Sequence, residues 1–261
     1  MPGQYLDVHI PNISQAGGFT ITSPPSTTAV LPSAPSEGSP KPPEIPDPYV
    51  ELAIQKSDNN PPAAYFWQPV DRILNAPLQI RVGGAFVYPP PFYTLEEASR
   101  IDRVVFVAGG VGINPIISML SAMALRAPGW VGGMVRNVRV LYSTRRKDDE
   151  NVLFEDRLSS MANKYQAGHA GDKLTEVNFE FTLFETSGRR GKNKQANAEA
   201  TKREYRRITH NDLKAALGPE NDRANTVVYV CGPPEWTDDT LRFLQKSPGM
   251  DEKRVLCEKW W

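Results

Sequence analysis

The chain has 261 residues, 40% of them hydrophobic, which is enough to bury a sizeable core and to form two domains. Thirty basic residues balance thirty acidic ones, so no overall field draws the protein to nucleic acid or to a membrane surface. Cys231 and Cys257 lie far apart and in no C-x-x-C pair, which excludes a disulfide framework and a zinc pattern and fits a reduced compartment.

No apolar run reaches the length of about 18 residues that a membrane span needs, and the first residues carry neither a basic n-region nor an Arg-rich amphipathic segment, so no signal or transit peptide is expected. Gln4 to Ile10 alternates apolar and polar residues and predicts a strand, and Phe19 to Thr22 predicts a second. From Ser23 to Pro48 proline, serine and threonine dominate and large apolar residues are almost absent. This composition predicts a disordered insert; a proline-rich segment can serve as a ligand for SH3-like domains and so bind a protein partner, but plain disorder is the preferred reading. Tyr49 to Lys56 alternates again and is expected to resume the sheet. Pro62 to Pro69 reads as one or two helical turns, and Leu78 to Val82 as a further strand ending at Gly83-Gly84. Short strands separated by turn signals predict a small antiparallel β-barrel over residues 1–93.

Pro89-Pro90-Pro91 and the Glu96-Glu97 segment mark a boundary, after which residues 100–261 alternate strands and helices. Val104 to Ala108 is a β-branched apolar run, the pattern of a buried parallel strand. Gly109, Gly110 and Gly112 then let the chain turn and approach a ligand without a Cβ in the way. Pro115 suits the first turn of the helix that follows, where its missing N–H costs nothing. Strand, glycine turn and helix N-terminus together present unpaired N–H groups to one point, a site for a pyrophosphate. Gly110-x-Gly112 alone reads equally well as a simple tight turn.

Asn137 to Ser143 predicts the second strand, Val152 to Lys164 a helix, and Val177 to Phe184 the third strand. Thr186 to Arg207 carries eight Lys and Arg among polar residues and reads as a solvated basic loop in preference to a site for an acidic partner. Thr209 to Leu217 predicts a capped helix and Thr226 to Val230 a buried strand. That strand runs into Cys231-Gly232-Pro233-Pro234 and a helix from Glu235 to Gln245, and Lys253 to Cys257 predicts a closing strand. The expected result is an α/β domain with a five-stranded, mostly parallel sheet and helices on both faces.

Gly109-Gly110-Val111-Gly112-Ile113-Asn114-Pro115, Cys231-Gly232-Pro233-Pro234 and the terminal Glu258-x-Trp260, in this order, resemble the ferredoxin–NADP reductase superfamily. The resemblance implies FAD on the β-barrel, NADP or NAD on the α/β domain, and hydride moving directly between the two rings before electrons pass to a separate acceptor. It implies that residues Gly109 to Pro115 hold the dinucleotide pyrophosphate, that Cys231, with Gly232 and Pro233, lies beside the nicotinamide, and that Thr20, next to Phe19, faces the flavin edge. Glu258 matches an acidic residue near the same point, and Trp260, followed by Trp261, matches the aromatic that stacks on the flavin. Cys231, Glu258 and Thr20 are the catalytic candidates, and no metal is expected.

Ser143 and Arg145, at the end of the second strand, are placed for the adenosine ribose; an arginine occurs there in relatives of both preferences, and the serine tips the expectation toward NADPH over NADH. Two departures stand out. The superfamily's flavin motif is Arg-x-Tyr-Ser/Thr, whereas this chain reads Gly17-Gly18-Phe19-Thr20, which removes a charged phosphate contact. In the family the Gly3-Gln4-Tyr5 strand is preceded by earlier barrel strands, whereas this sequence starts at Met1-Pro2-Gly3, so either the sequence is truncated or the barrel has an open edge. A flavin-free dinucleotide sensor or partner subunit, and an interaction protein using the two inserts, are the competing readings. A mitochondrial or a cytoplasmic location fits equally.

Overall fold

The computed structural model describes residues 1–25, 48–125, 135–146, 151–166, 177–186 and 201–259. Most of the proline-rich insert, residues 187–200 of the basic insert, and Trp260 and Trp261 lie outside the described residues.

The larger unit is a parallel sheet. Its strands are β4 (Arg103–Gly109), β5 (Asn137–Thr144), β6 (Asn178–Glu185), β7 (Thr201–Glu204), β8 (Thr226–Gly232) and β9 (Val255–Lys259), in the order β7-β6-β5-β4-β8-β9. The central strands are apolar throughout because helices cover both faces. On one face Val104, Phe106 and Ala108 pack with Ile113, Ile116 and Leu120 of α4 (Ile113–Leu125) and Leu158 of α5 (Glu155–Gln166). On the other, Val105 and Val107 meet Leu213 and Leu217 of α6 (His210–Leu217) and Leu244 of α7 (Pro234–Gln245).

The sheet has six strands where five are expected. The addition, β7, lies in the basic segment that reads as a solvated loop, and its four residues Thr-Lys-Arg-Glu offer no apolar pattern. Tertiary contacts make it a strand: it pairs with β6, and Arg203 forms ion pairs with Glu185, which is 3% exposed, and with Glu155.

The N-terminal unit is a three-stranded antiparallel sheet of β1 (Tyr5–His9), β2 (Gly17–Thr20) and β3 (Gln79–Gly83), in the order β2-β1-β3. Leu6, Val8 and Phe19 form its core with Ala63 of α1 (Pro61–Phe66). The expected strand at Tyr49 to Lys56 is reduced to one bridge, between Leu52 and Ile21. Opposite Val8 and Leu6 stand Ile80 and Val82 on the same face, yet these are 57% and 56% exposed. Among the described residues nothing covers the apolar side of β3.

Helix α4 is the spine on which the two units meet. Asn114 Nδ2 donates to the Ala53 carbonyl at 2.9 Å and Ser118 Oγ to that of Ser23 at 2.9 Å. Arg157 of α5 donates to Glu51 Oε2 at 2.8 Å and to Ser121 Oγ at 3.1 Å. The buried Tyr229 hydroxyl donates to the Val87 carbonyl at 2.8 Å. The helix that follows the glycine turn thus carries the register of the N-terminal unit.

Candidate functional site

In an open α/β sheet the ligand crevice lies beyond the strand carboxyl ends where the connections diverge to opposite faces. Here that point is between β4 and β8, whose following helices, α4 and α7, cover opposite sides. The glycines at this point have different tasks. Gly110 has φ +55°, the left-handed region that favours glycine, and a Cβ there would meet nothing within 4 Å. It is the glycine with open space beside it.

Gly112 has a packing reason to be small that the sequence reading did not include. A Cβ on it would lie 2.1 Å from the Cys231 carbonyl oxygen and 2.9 Å from the Gly232 nitrogen. Its small size is demanded by the backbone of β8. At Gly232 a Cβ would stand 2.7 Å from the Trp236 ring, and at Gly109 it would stand 3.1 Å from the same ring and 3.0 Å from Pro233 Cδ. Trp236, in the first turn of α7, is thus packed on both strand ends. Sequence reasoning missed it, although its place just after Pro233-Pro234 was the available signal.

Two cavities flank the turn and share Val111 and the segment Ala53 to Lys56 as a common wall. The smaller, about 320 Å³, is lined by Thr20, Asn60 and Asn114 among others, with Lys56 as its one cation among the described residues. The larger, about 510 Å³, is lined by Gly110, Thr144, Arg145, Arg146 and Trp67 among others. The dividing segment is pinned by Asn114 at Ala53 and by Trp67, whose Nε1 donates to the Ile54 carbonyl at 3.1 Å.

The predicted residues fall into groups. Gly110, Val111 and Arg145 come together at the larger cavity, and Thr20, Val111 and Asn114 at the smaller. Ser143 stands in register with Gly109 on the neighbouring strand. Ile113 and Pro115 are buried in the first turn of α4. Phe19 also lines the smaller cavity, with its ring packed edge-on to Phe66 at a centroid separation of 5.5 Å, while Thr20 faces the other side of its strand. Cys231 is fully buried among core residues of β8, and Glu258 is its register partner on β9. Pro233 is exposed next to Gly232.

Burial pushes the phenol of Tyr142, in the wall of the larger cavity, up to about 12, and burial likewise raises the Cys257 thiol. Among the described residues no cluster of three His, Cys, Asp or Glu side chains could hold a metal ion, and no helix is long and apolar enough to cross a membrane.

The volume and donors of the smaller cavity fit the ring end of a flavin, with Thr20 contributing a hydroxyl and Lys56 a positive charge. The missing motif arginine has a steric counterpart. A Cβ on Gly17 would lie 2.5 Å from the Phe19 ring and 2.6 Å from Pro62 Cβ, so the space of a side chain there is filled.

The family model described as oxidoreductase NAD-binding domain matches residues 106–241. The chain is 29% identical over 268 residues to the cattle (Bos taurus) protein named oxidoreductase NAD-binding domain-containing protein 1, a match covering 99% of this chain and 71% of the relative. Among solved structures it resembles the CS-b5R domains of human Ncb5or in the NAD⁺ form, with a TM-score of 0.58, 17% identity, and 98% of this chain and 60% of that one covered. It also resembles the flavohem-like FAD/NAD binding domain of nitric oxide dioxygenase from Vibrio cholerae O1, with a TM-score of 0.55, 15% identity, and 99% and 84% covered. At these identities the structural likeness establishes the two-domain fold.

Proposed function

We propose that this chain, which belongs to the oxidoreductase NAD-binding domain family, is a flavin-dependent NAD(P)H oxidoreductase that passes hydride between NAD(P)H and FAD and then electrons to a separate acceptor. The observation that carries this reading is the pair of cavities with a common wall at Val111 and Ala53 to Lys56, one sized for a ring system and the other running from the glycine turn to the end of β5. Bound FAD would supply the redox chemistry, which needs little from protein acids or bases.

The chain's own residues position and shield. Gly110 leaves room for a pyrophosphate at the N-terminus of α4, a thirteen-residue helix whose first-turn N–H groups favour an anion. Arg145 and Ser143 suit the phosphorylated ribose of NADPH over NADH. Thr20 offers a hydroxyl to the ring edge, and Lys56 a positive charge in the same cavity. The family resemblance supports Cys231 and Glu258, register partners on β8 and β9, as the nicotinamide end.

The test is the visible absorption spectrum of purified protein reconstituted with FAD. A flavin spectrum that bleaches on adding NADPH or NADH is the expected result. Protein that stays colourless after reconstitution, while still binding NAD(P)⁺, would replace this reading with a second one. That second reading, a dinucleotide-binding sensor or partner subunit without flavin, is favoured by the filled space at Gly17.

A further inference from the structure

Trp67 follows the short helix α1 as its cap, and 54% of it is exposed. An indole has a large apolar surface, and leaving it in water forgoes the gain from burying it. This indole is not loose, because its Nε1–H is committed to the Ile54 carbonyl at 3.1 Å. The ring is therefore fixed against the segment that divides the two cavities. It lines the larger cavity, whose walls also include Gly110 and the Thr144-Arg145 end of β5. With its only donor already used, what the side chain has left to offer is a π-face.

We infer that Trp67 stacks on the adenine ring of a bound dinucleotide. This rests on the dinucleotide reading above and adds to it a residue from the N-terminal unit. The ring is the adenine and not the redox ring because Trp67 belongs to the larger cavity, whose strand end is the β5 terminus where an α/β sheet takes adenosine. Stacking without a free donor also predicts tolerance: an inosine or guanosine counterpart binds nearly as well, since every purine has a π-face. Because Trp67 and Gly110 come from different units of the fold, a nucleotide held by both ties the two sheets together.

FAD and NAD(P)H both carry adenine, and the experiment separates them. Calorimetric titrations of the full chain use ADP-ribose, FAD and NAD(P)⁺ against wild type, Trp67→Ala, Trp67→Leu and Trp67→Phe, with melting temperature as the folding control. The alanine and leucine variants are expected to lose about fivefold or more in affinity for at least one adenine ligand, and the phenylalanine variant to stay within about threefold of wild type. A loss confined to FAD assigns the stack to the flavin's adenine. One confined to NAD(P)⁺ and ADP-ribose assigns it to the nicotinamide dinucleotide.

If Trp67→Ala does not fold, the comparison of leucine with phenylalanine decides. Equal affinities of the folded variants and wild type for all three ligands overturn the inference while leaving the dinucleotide reading intact. A wild-type chain that binds none of the three fails the dinucleotide reading itself.

Discussion

A Cβ on Gly112 would stand 2.1 Å from the carbonyl oxygen of Cys231, a separation at which one of the two backbones must move. Gly112 locks the turn onto the end of β8, whereas Gly110, two residues earlier, faces open space. Substitutions at the two positions therefore report on different things.

Gly112→Ala is expected to destabilise the fold by about 1–3 kcal/mol, the usual cost of overpacking. The melting temperature of the nucleotide-free protein is the measurement, and an unchanged value would show that β8 yields.

Gly110→Ala costs about 1–2 kcal/mol for the left-handed conformation but meets no neighbour. Its larger effect is expected on NAD(P)⁺ affinity, lowered about tenfold. Titration of both variants side by side checks the contrast, which disappears if Gly110 borders no ligand.

Arg203 and Glu185 form an ion pair with both side chains largely buried. Removing Arg203 leaves the buried Glu185 with the longer contact to Arg146 at 3.8 Å and takes a partner from Glu155, so Arg203→Ala is expected to cost about 3 kcal/mol. Replacing both, as Arg203→Met with Glu185→Leu, recovers most of that. Denaturant unfolding of the single and double variants measures the coupling.

Cofactor choice is tested at Arg145. If its guanidinium holds a 2′-phosphate, Arg145→Ala weakens NADP⁺ about tenfold or more and NAD⁺ about twofold or less, since a charged hydrogen bond contributes roughly 1.5–3 kcal/mol. Equal losses for the two dinucleotides would remove the basis for preferring NADPH.

Tyr142, Tyr88 and Tyr229 all have phenol pKa values raised by burial, Tyr142 to about 12. An unfolded tyrosine ionises near pH 10 while the folded one keeps its proton, so this stability is complete below about pH 10 and is lost as pH rises toward 12. Circular dichroism from pH 9 to 12 is expected to show alkaline unfolding, with the midpoint moved upward in Tyr142→Phe. Coincident curves would mean the other two phenols set the limit.

The sequence made the strand, turn and helix from Val104 to Pro115 legible because their signals are local: β-branched residues, glycines and a proline in a first turn. Thr201 to Glu204 was illegible because nothing in four polar residues announces a strand, and only Glu185 and Glu155 across space explain it. Tyr49 to Lys56 alternates as a strand does, but Asn114 and Trp67 hold its backbone carbonyls, leaving a single bridge to the sheet. The task of Gly112 was equally hidden, since a glycine that admits a ligand and one that admits a neighbouring strand look alike in one dimension. Trp67 carried no motif at all.

Among the described residues β3 is a sheet edge, with Leu78, Ile80 and Val82 exposed along it. To a second polypeptide this is half of a ladder, a row of main-chain donors and acceptors beside an apolar seam. Within Gln79 to Gly83 the one formal charge is Arg81, held to Asp7 at 2.6 Å on the opposite face. Arg81 is thus the charged side chain within this strand, the kind of residue that guards an edge against pairing with another chain.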